Sequence, residues 1–343
     1  MAETPSPKFP DIPLEVEPKY TRRVIYEMSG DGKQTNDRLR AAIAGAKKFP
    51  YIHFDCFMQD GVHFDCKTPP NLIPLYSTQG LSPEDCAAHL LRKSITPASF
   101  ISAGHTGHMV TALTRHVGRV NQLTPVLCCP YPAVEGDILL VDVGGGSFLP
   151  TVYDTVCAAL AGGVIADVFG YPEGKTGFHN VGAEEGKGGD LMEEIRKMLE
   201  KVLGDSFFGN CEPNEAVRPE NGVSIMATTA YGGNTILKAT EALMETMKGR
   251  AVERCKRSPL LAPIAYIYRR LVVPELDWRN YAAAWLIVRK PAIITHGRSD
   301  FKAMMKAITT AADNRIFTLY ERLNTDPAIQ AWTARRGEFK EGK

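Results

Sequence analysis

The stretch SFISAGHTGHMVTALTRHVG, Ser99 to Gly118, decides the fold reading. A short apolar run of strand character enters a glycine-bounded turn, and a helical pattern starts immediately after it. A strand that ends in such a turn and feeds a helix is half of a βαβ unit. It is also a place where an anion can sit, because the first helical N–H groups are unpaired and carry the positive end of the dipole. Two histidines, His105 and His108, stand here, although backbone groups alone can hold an anion.

The same order recurs on both sides. RRVIYEM reads as a strand, followed by SGDGKQ and a helical pattern from Thr35 to Lys48. YIHFDCFM is a second strand, and SPEDCAAHLLRK carries a serine start, an early acidic pair and a basic end, the marks of a helix. Downstream, PVLCCPYP and DILLVDVGGG are near-continuous apolar runs, suited to strands covered on both faces. TVYDTVCAALAGGVIADVF reads as a buried helix, and KTGFHNVG, SFFGNCE, GVSIMATTA and PAIITHG as strands. Helices are expected over Glu184–Leu203, Asn234–Met247 and Ser299–Leu323. This alternation predicts an α/β protein with right-handed crossovers and a mostly parallel sheet. In such sheets ligands bind at the carboxyl ends of strands. The turns SGDG, SAGHTG, DVGGG, NVGAEEGKGG, AYGGN and THGRSD fall there, which predicts one cleft rimmed by glycine turns and fit for an anion.

Composition narrows the classes further. The chain has 343 residues, 44% hydrophobic, enough for one large or two linked domains. A net charge of +1 gives no global attraction to nucleic acid or membrane. Eight cysteines without a CxxC pair are read as buried free thiols of a reducing, cytoplasmic protein rather than a zinc ribbon. No metal and no cofactor is expected. The first 20 residues are rich in proline and charge, lack a signal-peptide pattern and are read as an extended arm. No run reaches the ~18–20 apolar residues of a membrane span. No turn matches a P-loop, GGGSF is not a nucleophile elbow, and the missing GxGxxG after the first strand counts against a dehydrogenase.

Three sites carry candidate chemistry. Lys187, between glycines in GAEEGKGGD, can neutralise a phosphate or stabilise an oxyanion; it can equally be part of a solvated helix start beside Glu184 and Glu185. Asn234 in GGNTILK is either a ligand-orienting amide or a helix N-cap. His296 in THGRSD is a general acid/base, or a ring that closes a turn. The apolar segment Ser258–Trp278 reads as core, lid, oligomer contact or lipid-facing surface.

Taken together, EMSGDG, SAGHTGHMVTA, LLVDVGGG, HNVGAEEGKGGDL, FFGN, AYGGNTILKATEAL, LDWRNYAAAWL and IITHGRSD resemble the PlsX family of phosphate acyltransferases, from about Arg22 to Ala311. That family moves an acyl group from an acyl carrier protein thioester to inorganic phosphate. The resemblance implies a three-layer α/β/α fold similar to the phosphotransacetylase and isocitrate dehydrogenase group, and a homodimer. It implies an arm over residues 1–20, a single large domain over 21–325, with 252–280 a lid, dimer or membrane-contact segment, and a tail over 326–343. Residue by residue, it carries over substrate or phosphate binding to Gly30, Asp31, Gly104, Thr106, Gly107, Gly144, Gly145, Glu185, Gly233, His296, Gly297 and Ser299. Lys187 and Asn234 take catalytic roles, with Lys238 and Asp300 matching the same turns.

The departures point to altered chemistry. Tyr26 stands where the family has aspartate, Ser29 where it has glycine, Gly146 and Phe148 where it has asparagine and aspartate, and Thr229 where it has aspartate. His105 replaces an asparagine and is the candidate base. The expected activity is acyl transfer from a carrier-protein or coenzyme A thioester to phosphate or another small nucleophile, such as an amine or sulfide. The rival expectation is a non-catalytic subunit that binds an acyl carrier or acyl chain.

Overall fold

The computed structural model describes residues 9–28, 34–58, 67–77, 80–146, 149–257 and 277–339, with positions 263, 266, 267 and 270. Gly30, Asp31, Ser29, Phe148 and most of Ser258–Trp278 lie outside the described residues.

The element order is β1 (Arg22–Glu27), α1 (Thr35–Lys48), β2 (Ile52–Met58), β3 (Leu72–Tyr76), α2 (Pro83–Lys93), β4 (Ala98–Ser102), α3 (Thr106–His116), β5 (Leu127–Pro132), β6 (Asp137–Val141), α4 (Val152–Phe169) and β7 (Lys175–His179). It continues with α5 (Asp190–Leu203), β8 (Phe207–Cys211), α6 (Pro213–Ala216), β9 (Val223–Ala227), α7 (Ala230–Arg257), β10 (Ala284–Leu286), β11 (Ala292–Ile294), α8 (Phe301–Ala312), α9 (Arg315–Thr325) and α10 (Pro327–Ala334).

One mixed sheet runs in the order β3-β2-β1-β4-β11-β10-β5-β6-β9-β7-β8. Helices cover both faces. Val24, Tyr26, Leu139 and Val141 pack with α1, α4, α5, α8, α9 and α10; Ile25, Ile138 and Leu140 pack with α2, α3, α6 and the start of α7. The alternation along each strand is what a sheet buried on both sides requires. The three-layer α/β/α architecture expected from the sequence is thus present. Helix α4 is apolar all round, so its faces are buried in the core; by length and composition it would pass for a membrane span.

The ladders are parallel except at the centre. β5 pairs antiparallel with both β6 and β10, and β10 pairs antiparallel with β11. Strands β3, β2, β1, β4 and β11 therefore run one way, and β6, β9, β7 and β8 the other. The register nevertheless brings their carboxyl ends level: Tyr26, Ile101, Ile293, Trp285, Cys128 and Val141 lie in one row across the sheet. The described glycine turns therefore gather near the middle of the sheet on two rims, one from each half, tied together where Lys238 of α7 donates to His296.

Local differences from the sequence reading have simple causes. The helix expected from Glu184 starts at Asp190, because Gly186, Gly188 and Gly189 take φ of +78°, +83° and +84°. The helix expected over Ser299–Leu323 is two helices, broken at Asp313–Asn314. The segment read as a tail includes α10, whose Trp332 Nε1 donates to Tyr153 O at 3.3 Å. The described part of the arm, from Phe9 on, is docked: Phe9 stacks on His89 at 3.7 Å, and Ile95 N–H donates to Leu14 O. The described cysteines are unbridged, and all but Cys255 are buried.

Candidate active site

The first rim is built from the ends of β1, β4 and β11. Ser102 donates its hydroxyl to buried Glu27, and Gly104 N–H donates to Ser102 Oγ at 2.9 Å. This chain of bonds fixes the turn that enters α3. Gly104 N–H is therefore occupied. The next groups are not: His105 caps α3 without any side-chain bond to the first turn, so the N–H groups around Thr106 and Gly107 face outward unpaired by a cap. Helices α2, α4 and α8, by contrast, are capped by Ser82, Thr151 and Asp300. His105 is exposed and packs against His108, ring centroids 4.7 Å apart.

His296 follows β11 on the same rim. Lys238 of α7 donates to its Nε2, and Glu241 Oε2 lies 3.8 Å away. Glu241 is nearly buried and receives Lys238 at 3.1 Å and Arg298 at 3.0 Å. Burial, reinforced by the Lys238 ammonium, lowers the His296 pKa, so the ring acts as a neutral acceptor. Arg38 of α1, itself buried, donates to Met28 O and Gly297 O and pins this turn to the end of β1. Ser299 is fully buried, its N–H on His296 O at 2.8 Å.

The second rim is built from the ends of β6, β9, β7 and β8. Asp142 follows β6 and is buried. Its Oδ1 accepts from Leu127, Gly144 and Gly145 N–H at 2.8–3.0 Å, and its Oδ2 from Gly146 N–H at 2.7 Å. The expectation that Gly144 and Gly145 offer their N–H groups to a ligand is corrected by this: the chain's own carboxylate fills that nest. Burial raises the Asp142 pKa while the four donors pull it down.

Thr228 Oγ1 donates to Asp142 O at 2.7 Å. Gly233, in the first turn of α7, sits against the same place; a Cβ there would lie 2.0 Å from Asp142 O. Only glycine allows that approach. Asn234 follows, exposed, on the same helix face as Lys238 one turn on.

The Lys187 loop is held by two buried amides. Asn180 donates to Lys187 O at 3.0 Å, and Asn210 to Glu184 O at 2.9 Å. The Lys187 side chain is half exposed, 3.9 Å from Glu184, and Glu185 is exposed, 3.8 Å from Arg196. The structure thus brings Lys187, Asn234 and Gly233 to one rim, and His105, Gly104, Thr106, Gly107, His296, Gly297 and Ser299 to the other.

Sequence reading missed four contributors: Asp142, the Asn180–Asn210 pair, Glu241 and His179. The aspartate before three glycines was a usable signal, since short acidic side chains bind nearby N–H groups. His179 ends β7, and its ring stands 3.3 Å from where a Cβ on Gly232 would be. Burial lowers its pKa, and its ring has no hydrogen-bond partner among the described residues.

The family model described as "Fatty acid synthesis protein" matches residues 88–316. The phosphate acyltransferase of Clostridium perfringens is 30% identical over 220 residues, 62% of this chain and 63% of that protein. The phosphate acyltransferase of Elusimicrobium minutum is 30% identical over 233 residues, 66% of each. The match thus spans less than two thirds of the Clostridium relative's length. A branched-chain phosphotransacylase from Enterococcus faecalis shares the fold, with a TM-score of 0.58 at 10% identity over 85% of this chain and 98% of that one. With most of its length inside the family model, the chain belongs to the fatty acid synthesis protein family, the PlsX-type phosphate acyltransferases.

Proposed function

We propose that the protein transfers an acyl group from a thioester to phosphate. The observation that carries this reading is the uncapped first turn of α3 beside His105, an anion seat on a chain of this family. Lys187, held out by Asn180 and Asn210, neutralises charge on phosphate or on the tetrahedral intermediate. Asn234 orients the acceptor or the thioester carbonyl. His105 accepts a proton when the acceptor carries one.

A second reading, an acceptor that must be deprotonated, is favoured by His179. A neutral imidazole without a partner among the described residues stands beside Gly232 and Thr229, where the family pattern has aspartate at the latter. An amine or a thiol fits such a base. The homodimer belongs to this proposal too: Leu243, Met247 and Val252 are exposed on the outer half of α7 and support contact with a second copy or a membrane surface.

The test mixes the protein with acyl carrier protein or coenzyme A thioesters and phosphate, and traps acyl phosphate with hydroxylamine. Hydroxamate formation is expected. Its absence with every thioester removes the phosphate reading; failure with amines and sulfide as well removes acyl transfer.

A further inference from the structure

β7 ends on His179, whose ring stands half-buried at the second rim. Facing it is the first turn of α7. A Cβ added to Gly232 would lie 3.3 Å from His179 Nδ1 and 3.1 Å from Thr229 Oγ1. Because glycine has no Cβ, that space is open, with the Nδ1 edge of the imidazole on one side and a hydroxyl on the other. Thr229 Oγ1 accepts from Gly232 N–H at 3.1 Å, and neither its own proton nor the His179 ring has a hydrogen-bond partner among the described residues. Thr229 stands where the family pattern has aspartate, so the ring meets a neutral group there rather than a carboxylate. Burial lowers the His179 pKa, and the ring is neutral at neutral pH, free to take a proton and to return it.

Chain neighbours tie this space to the groups placed on the reaction. Asn180, next to His179, donates to Lys187 O at 3.0 Å and holds the Lys187 loop. Gly233, next to Gly232, is seated on Asp142 O, and Asn234 follows it. His105, the other candidate base, is exposed on the first rim beside His108. The transfer itself needs one proton moved. When an oxygen of monohydrogen phosphate attacks a thioester carbonyl, a C–O bond forms and the C–S bond breaks. The phosphate loses its hydroxyl proton, and the departing sulfur gains one to leave as a thiol. A single neutral imidazole on the Lys187 rim can serve both halves and end as it began.

We infer that His179 is a catalytic residue, which takes the hydroxyl proton of phosphate in the open space beside Gly232 and hands it to the leaving sulfur. The inference rests on the acyl-transfer reading and names the group that carries its proton.

The test measures phosphate-dependent thiol release by the full chain from each thioester it turns over. His179→Asn is expected to lower kcat about 100-fold or more, with KM for phosphate little changed. Gly232→Ala keeps the ring and fills the space, and is expected to lower kcat about tenfold or more. Unchanged thermal midpoints check that both variants fold. The His179→Asn loss is expected to shrink when the acyl group is carried on thiophenol instead of N-acetylcysteamine, because the more acidic thiol leaves without needing a proton. A merely structural fault lowers both rates equally. Full rate in either variant, equal losses on the two thioesters, or a loss confined to His105→Asn overturns the inference and keeps the transfer reading. No phosphate-dependent release by the wild type from any thioester removes that reading, and the inference with it.

Discussion

The two rims solve the same problem with different materials. The His296 rim is wired by side-chain charge: Glu241 gathers Lys238 and Arg298 while Lys238 donates to His296. The Asp142 rim is wired by backbone and amides: four N–H groups on one carboxylate, and two asparagines on the loop carbonyls. Charge networks respond to pH and salt, whereas backbone nests respond mainly to shape. The lesson is that one rim is tunable and the other is a fixed template.

The largest effect is expected where shape is tightest. Gly233→Ala pushes a Cβ to 2.0 Å from Asp142 O and 2.3 Å from Thr228 Oγ1. Overpacking against these groups is expected to cost about 3 kcal/mol or more of stability, read by denaturant unfolding. A loss below about 1 kcal/mol would mean the template yields, and the comparison fails on that side.

Lys187→Ala comes next, in rate rather than stability. Removing a transition-state cation is expected to lower kcat about 100-fold or more, with the thermal midpoint unmoved because the side chain is half exposed. Full activity in this variant would take Lys187 out of the reaction.

The tunable rim is expected to show itself in pH. The folded-state pKa of His296 is lowered, so the unfolded chain binds more protons and stability rises with pH. This contribution is present above the unfolded histidine value of ~6.5 and is lost as pH falls below it. Comparing wild type with His296→Asn from pH 8 to 5, the fall in stability should shrink in the variant. An identical pH dependence would show that the network does not depend on a neutral ring.

The smallest effect is expected at Glu185. It is exposed and 3.8 Å from Arg196, so Glu185→Ala should change stability by less than about 0.5 kcal/mol. A large drop in turnover with stability intact would give this exposed carboxylate the substrate-binding part that the resemblance implies for it.

Much of this was legible before the structure. Strands β1, β2, β4, β6 and β9 are apolar runs long enough to read directly, and Ser82 and Thr151 announce their helices. The reversal of direction was less visible, yet a signal existed. β5 and β6 are joined by only four residues, Ala133 to Gly136, with Gly136 at φ +71°. A loop that short can only join antiparallel strands. The second reversal, at β10, is a three-residue strand whose AWL carries no period. In the site, lone residues were readable but hubs were not. Glu241 looks like any exposed helix glutamate until the β11 turn folds over it, because its partners are 57 residues away in Arg298 and 55 in His296.

Helix α7 gives the molecule a strut of set length. Gly233 is seated on Asp142 at one rim, and Lys238 is tied to His296 at the other. Lys238 lies five residues on from Gly233, about 7.5 Å along the axis. Any motion that parts the rims must unseat the glycine or break the lysine–histidine contact. The rims therefore travel together, and two groups held one at each keep their spacing while the rest of the molecule breathes.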